Sequence, residues 1–179
     1  KGVNMKKIFK LFMYCYFVLF CTKLSATSSP TLHMVLDKGV VVIETFTDKA
    51  PKTVQRIVEL AESGFYDGLT FHRVISGFMA QGGDPDGNGT GGSGKNLKAE
   101  FNDIKHERGI VSMARANDPD SADSQFFICY DELPFLDGKY TVWGKVVSGM
   151  NYIDRIPEGR GQNGQVLSNP TKILTIRVK

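Results

Sequence analysis

The sequence predicts a mainly β fold, a closed eight-stranded antiparallel β-barrel capped at its ends by two α-helices. Three observations lead there. Short runs rich in β-branched and aromatic residues recur along the chain between turn signals. Only two stretches carry helical periodicity, and they lie far apart, so strands do not alternate with helices as a parallel α/β sheet requires. An antiparallel sheet of this size removes its edges by closing on itself. The length suits one domain and is short for two, and no internal repeat appears. Residues 1–26 stand apart, 27–30 form a polar join, and 31–179 form the domain.

Leu32 to Leu36 and Val40 to Phe46 are strands, and Asp37-Lys38-Gly39 between them reads as a hairpin turn. Asp48 to Ser63 is a helix: Pro51 suits the first turn, Thr47 or Asp48 the cap, and Gly64 the end. Its apolar stripe is Val54, Ile57, Val58 and Ala61, widened by Leu60. Phe71 to Ile75 and Phe78 to Gln81 are short strands broken at Ser76-Gly77, with Phe71, Arg73 and Ile75 expected on one face. The glycine-rich stretch Pro85 to Lys95 is a surface loop whose backbone can approach a ligand or a neighbouring strand closely. Gly109 to Ala114, Gln125 to Tyr130 and Thr141 to Val147 are further strands. Ser148 to Ile156 is a short helix with Ser148 as cap, and Ile173 to Val178 closes the set.

The formal charge of +3 belongs to the N-terminus. Lys1, Lys6, Lys7, Lys10 and Lys23 precede Ala26 with no acid among them; the remainder carries 17 basic and 19 acidic residues, a net of −2. A near-neutral body offers no electrostatic case for nucleic-acid binding. Met5-Lys6-Lys7 followed by the apolar run Leu11 to Cys21 and by Ser25-Ala26 reads as an export signal, or as an anchor if it is not cleaved. The run is shorter than the roughly 20 residues of a membrane span and within the roughly 7–15 of a signal core. Leu24 is large for the position two before a cut after Ala26. Beyond the run only Cys129 remains, so an internal disulfide is excluded there; within Phe126 to Tyr130 it reads as a buried structural thiol.

Chemistry has few candidates. His33, His72 and His106 form no metal spacing with one cysteine, and no Ser-His-Asp arrangement or acid/base pair emerges. Gly89 to Asn96 falls short of a phosphate loop, because Asn96 follows Lys95 where Ser or Thr would hold Mg²⁺, and no strand precedes it. What stands out is Phe71 to Asp84, with one guanidinium, Arg73, and one amide, Gln81, beside apolar Val74, Ile75, Phe78 and Met79. On that stretch alone an amphipathic hairpin with a solvated Arg reads equally well. A reaction needing neither nucleophile nor metal is rotation about an X-Pro bond, where an apolar niche holds the ring and a cation draws on the prolyl nitrogen's lone pair.

The blocks Phe71-His72-Arg73-Val74-Ile75, Phe78 to Asp84, Ser112-Met113-Ala114, Ser124 to Ile128 and Phe135-Leu136-Asp137-Gly138 resemble, in order, the signatures of the cyclophilin-type peptidyl-prolyl cis-trans isomerases. The resemblance runs from about His33 to the C-terminus and implies the eight-stranded barrel with two helices. It also implies that Arg73 is the catalytic guanidinium and that Phe78, Met79, Phe127 and Leu136 line a proline pocket. By the same resemblance Gln81 and Gln125 hold the substrate backbone or orient the Arg, and Ala114, Arg115 and Ala116 offer a main-chain edge.

Three positions depart from the common eukaryotic pattern. Arg115 replaces an Asn that works largely through its backbone; Phe135 replaces a Trp that donates a hydrogen bond to cyclosporin; Tyr140 replaces a pocket His. These departures resemble the bacterial exported branch. The expectation is therefore a monomeric periplasmic isomerase acting on proline-containing unfolded or flexible polypeptides, without a cofactor or metal and weakly inhibited by cyclosporin. It would touch a membrane only through an uncleaved N-terminus. The alternatives are a proline-peptide binding module or folding chaperone with little turnover, and, more remotely, a nucleotide-hydrolysing protein resting on Gly89 to Lys95 alone.

Overall fold

A computed structural model describes residues 29–179; the proposed export signal lies outside the described residues. Eight strands run in one antiparallel sheet: β1 (Thr31–Leu36), β2 (Gly39–Thr45), β3 (Arg73–Ile75), β4 (Met79–Gly82), β5 (Ile110–Met113), β6 (Phe126–Cys129), β7 (Val142–Ser148) and β8 (Ile173–Val178). Their order across the sheet is β3-β4-β6-β5-β7-β2-β1-β8. Among the described residues two α-helices accompany them, α1 (Pro51–Glu62) and α2 (Met150–Ile153). No helix among the described residues is long and apolar enough to cross a membrane.

The expectation of a closed barrel is corrected. β3 and β8 end the sheet without pairing as strands, leaving an open half-barrel. The cause lies at β3. Its outward backbone is taken by the loop between α2 and β8: Val74 N donates to Gly164 O, Gly159 N to Val74 O, and Val166 N to His72 O. That loop lies so close that a Cβ on Gly164 would collide with Ile75 and with the Val74 carbonyl. The gap toward β8 is stitched just ahead of β3, where Phe71 N donates to Thr171 O, Gly68 N to Ile173 O, and Ile173 N to Leu69 O.

The two faces of the sheet support two hydrophobic clusters. The larger joins alternate residues of the strands (Leu32, Met34, Val41, Ile43, Val111, Met113, Phe126, Ile128, Trp143) to Val54, Ile57 and Leu60 of α1. The alternation follows from the two-residue period of a strand. The smaller takes the intervening residues Met79, Ile110, Phe127, Cys129 and Val142, with Leu133 and Leu136. Phe71 joins the larger cluster, away from Arg73 and Ile75, because the strand begins only at Arg73 and period-two logic does not reach back to it.

Both helix caps differ from expectation. Neither Thr47 nor Asp48 caps α1; its N-cap is Ala50, and Glu100 accepts from Lys52 N (3.0 Å) and Thr53 N (2.8 Å). A carboxylate from a distant loop thus satisfies two of the helix's orphan donors. β7 extends through Ser148, so α2 begins after Gly149, whose φ of 89° suits glycine, and it is shorter than the stretch to Ile156.

Candidate active site

The site is laid out by strand register. Arg73 on β3 stands opposite Gln81 on β4, Gln81 opposite Phe127 on β6, and Phe127 opposite Ser112 on β5. Directly opposed residues share a face, so four side chains form one row across the sheet. The next row, Ile75, Met79 and Cys129, lies beside it. The kink at Ser76-Gly77 returns the chain so that Phe78 N bonds Ile75 O, setting Phe78 at the end of the hairpin.

A chain of hydrogen bonds fixes Arg73. Its Nη1 donates to Gln81 Oε1 (3.1 Å), Gln81 Nε2 to Gln125 Oε1 (2.9 Å), and Gln125 Nε2 to the carbonyls of Gly89 (3.2 Å) and Gly91 (2.8 Å). Nε donates to Asn163 O (2.9 Å), in the loop that displaces β8 from β3. The opening of the sheet and the second tether on the guanidinium are therefore one feature. The guanidinium also lies 5.8 Å from the Phe78 ring centre and beside the Met79 sulfur. Nη2 has no protein hydrogen-bond partner among the described residues. Burial lowers the Arg73 pKa from its ordinary value, with Tyr140 acting the other way; a guanidinium nonetheless stays protonated.

Two adjoining cavities share Gln81, Ala114 and Arg115. The smaller, about 100 Å³, is lined by these with Arg73, Phe78, Met79, Phe127, Leu136 and Tyr140. The larger, about 270 Å³, reaches from them past Ala116 and Gln125 to the glycine-rich loop at Gly89 to Gly92. Every predicted site residue thus lies in one cavity or both except Phe135, which is 58% exposed on the rim with its ring 5.8 Å from that of Phe78. The loop is held by carboxylates: Asp84 accepts from Asp86 N and Asn88 N as well as Gly89 N, and Asp123 from the backbone of Ser93, Gly94 and Lys95. Burial disfavours charge on Asp84, but those backbone donors outweigh it and leave its pKa below the usual carboxylate value.

Some supporting residues had no sequence signal as parts of the site. His106 is buried behind Phe127, stacked at 6.1 Å, with Nδ1 3.1 Å from Asp137 Oδ1 and Nε2 3.2 Å from Ser112 Oγ. Burial lowers its pKa against the pull of Asp137. Asn163 contributes only a carbonyl, which its side chain does not announce. Cys129 is buried, as expected, and burial pushes its thiol up to about 12, which removes it as a nucleophile.

A guanidinium beside a small cavity with Phe78, Met79, Phe127 and Leu136 in its lining can hold a ring and draw on a nitrogen lone pair. The comparisons with known proteins agree with that chemistry. Residues 31–178 match the family described as cyclophilin type peptidyl-prolyl cis-trans isomerase/CLD. A probable peptidyl-prolyl cis-trans isomerase of Brucella abortus is 45% identical over 170 residues, covering 88% of this chain and 87% of its own. A peptidyl-prolyl cis-trans isomerase of Helicobacter pylori is 50% identical over 127 residues, 69% of this chain and 77% of its own. Among solved structures, a Cryptosporidium parvum cyclophilin type peptidyl-prolyl cis-trans isomerase, determined in the presence of the dipeptide Ala-Pro, superposes with a TM-score of 0.75 at 33% identity over 83% of this chain and 98% of its own. With the family matched across nearly all the described residues and the Arg73 guanidinium lining the same cavity as Phe78, Met79, Phe127 and Leu136, this chain belongs to the cyclophilin-type peptidyl-prolyl cis-trans isomerases.

Proposed function

We propose that the smaller cavity receives the proline ring of a flexible polypeptide and that Arg73 Nη2 donates to the prolyl nitrogen as the X-Pro bond twists. The barrier is amide resonance, about 18–20 kcal/mol. In the planar amide the nitrogen lone pair is conjugated and is a poor acceptor; at the twisted transition state it is free to accept. The donor therefore binds the transition state better than either isomer, which is the condition for catalysis. A 10⁵-fold acceleration needs about 7 kcal/mol. One charge-assisted bond supplies about 1.5–3 kcal/mol, so selection of the twisted form by Phe78, Met79, Phe127 and Leu136, with Gln81 and Gln125 holding the Arg, supplies the rest. Along Ala114 to Ala116 the peptide meets carbonyls and the Arg115 N–H, because Ala114 N already donates to Gln125 O and Ala116 N to Ser121 Oγ.

The supporting observation is the Arg73 guanidinium, tethered at Nη1 and Nε, with Nη2 unpartnered among the described residues, in the lining of that cavity. The test is isomer exchange of an Ala-Pro peptide followed by NMR. Arg73→Ala is expected to lower kcat/KM about a hundredfold with the unfolding midpoint unchanged, and Arg73→Lys to recover little, since an ammonium cannot keep the fork on Gln81 and Asn163. Activity undiminished in Arg73→Ala would remove Arg73 from the mechanism.

The setting proposed is the periplasm, where the enzyme assists folding as a monomer after export by residues 1–26. The basic start and the run Leu11 to Cys21 support it. N-terminal mass analysis of the exported protein tests both export and cleavage.

A further inference from the structure

Arg115 stands where the two cavities meet. Every hydrogen bond it makes goes to a main-chain carbonyl: Nε (3.2 Å) and Nη2 (2.9 Å) donate to Lys139 O, and Nη1 to Ala116 O (2.8 Å) and Asn117 O (3.1 Å). Its guanidinium lies 4.7 Å from the Tyr140 ring centre and 5.8 Å from that of Phe101. Carbonyls and ring faces orient a cation without neutralising it. Four bonds also leave one of the five guanidinium N–H groups unused.

The acids nearest in sequence, Asp118 and Asp120, accept from the backbone N–H groups of Asp120 and Ala99. Among the described residues neither Arg115 nor Arg73 forms an ion pair with a carboxylate. Among the described residues no acid lines the smaller cavity, and Asp123, which lines the larger, is already engaged by three backbone N–H groups and Ser93 Oγ. Glu100, beside Phe101, is turned to the start of α1, and Asp137 to His106 and Lys105. Lys139 Nζ, bonded to Phe135 O at 3.1 Å, adds another cation near the rim.

We propose that Arg115 is a specificity-determining residue that favours substrates with an acidic side chain within two residues of the proline, on the side where the peptide leaves the smaller cavity across Arg115 into the larger. This rests on the reading that the smaller cavity takes the proline. A carboxylate there meets a guanidinium whose geometry is already locked, so little further side-chain freedom is lost on binding. The same field steers acidic chains during encounter.

The test is exchange NMR on short Ala/Gly peptides with one proline and Glu, Gln or Lys scanned at the two positions on each side. At one side at least, kcat/KM is expected to rank Glu over Gln over Lys, with Glu about three- to fivefold above Gln at low salt and the gap closing as salt is raised. Arg115→Gln is expected to bring the Glu:Gln ratio to about one, while Arg115→Lys retains part of it. A wild-type ratio of one at every position overturns the proposal, as does a ratio unchanged in Arg115→Gln, or an equal loss on all peptides that Arg115→Lys does not relieve. Activity on the uncharged peptides reports separately on the proline reading: if Arg73→Ala leaves it intact, that reading fails by itself.

Discussion

Phe126 and Phe127 are neighbours on β6, yet one belongs to the larger cluster and the other to the smaller. Phe126 is enclosed by aromatic edges, with Tyr66 at 5.8 Å, Phe71 at 6.4 Å and Trp143 at 6.0 Å. Phe127 is backed by the His106 ring and met edge-on by Tyr140 at 5.8 Å, and its other side borders the smaller cavity. The larger cluster borders neither cavity of the site; the smaller one forms the site's floor. The same strands thus deliver one face to stability and the other to an unfilled hollow. That hollow keeps its shape because polar groups behind it, His106, Asp137 and Ser112, are bonded to one another and to the backbone.

The sharpest way to break this comparison is to truncate the two rings separately. Phe126→Ala is expected to lower unfolding free energy by about 3–5 kcal/mol, the cost of emptying a fully packed position. Phe127→Ala is expected to cost about 3 kcal/mol, the lower end of that range, because one side already faces a cavity, and to raise KM for Ala-Pro peptides in the protein that remains folded. Urea unfolding with exchange NMR on the folded fraction checks both. Equal stability losses would mean that the smaller cluster is as tightly packed as the larger.

A smaller effect tests the polar backing. Asp137 accepts from the His106 backbone N–H at 2.9 Å, and that bond, helped against desolvation by the His106 ring and Lys105, brings its pKa down to about 2 from the ordinary 3.8. A carboxyl with a lowered folded-state pKa contributes stability that is complete above the unfolded value and is lost as pH falls through the folded one. The window is therefore about pH 4 down to 2. His106, lowered by burial, acts in the same direction on acidification but starts below its ordinary 6.5. Asp137→Asn is expected to be about 1–2 kcal/mol less stable than wild type at pH 7, with the difference closing by about pH 2. A difference constant across that range would show that Asp137 acts by shape alone.

What was legible in the sequence follows the same division. The strands are readable as β-branched and aromatic runs between turn signals, and the row Arg73, Gln81, Phe127 because its blocks carry a family pattern. Sheet closure is not legible because it depends on what covers β3, and the covering loop acts through the backbone of Gly159, Gly164 and Val166, whose side chains say nothing of it. Glu100 as the partner of the α1 N-terminus was unreadable for a related reason: a cap from 47 and 48 residues away leaves no local spacing to recognise. His106 lies in a loop, as its sequence context indicates, but its burial behind Phe127 depends on tertiary packing that no period reports.

The smallest expected effect concerns the rim of the hollow. Phe135 sits on the short 3₁₀ turn Pro134–Leu136, which buries Leu136 as part of the floor and leaves Phe135 outside, tilted 37° against Phe78. Its ring can cover a bound ligand but has no hydrogen to donate. Cyclosporin, whose recognition in the family uses an indole N–H at this position, is therefore expected to inhibit weakly. Phe135→Trp restores the donor at an exposed position where the larger ring need not displace the core. One neutral hydrogen bond is worth about 0.5–1.5 kcal/mol, so inhibition should tighten about three- to tenfold in a titration of isomerase activity with cyclosporin. If affinity does not change, a neighbouring difference sets the weakness instead, and Arg115 and Tyr140, 4.7 Å apart in the lining of the smaller cavity, become the residues to exchange next.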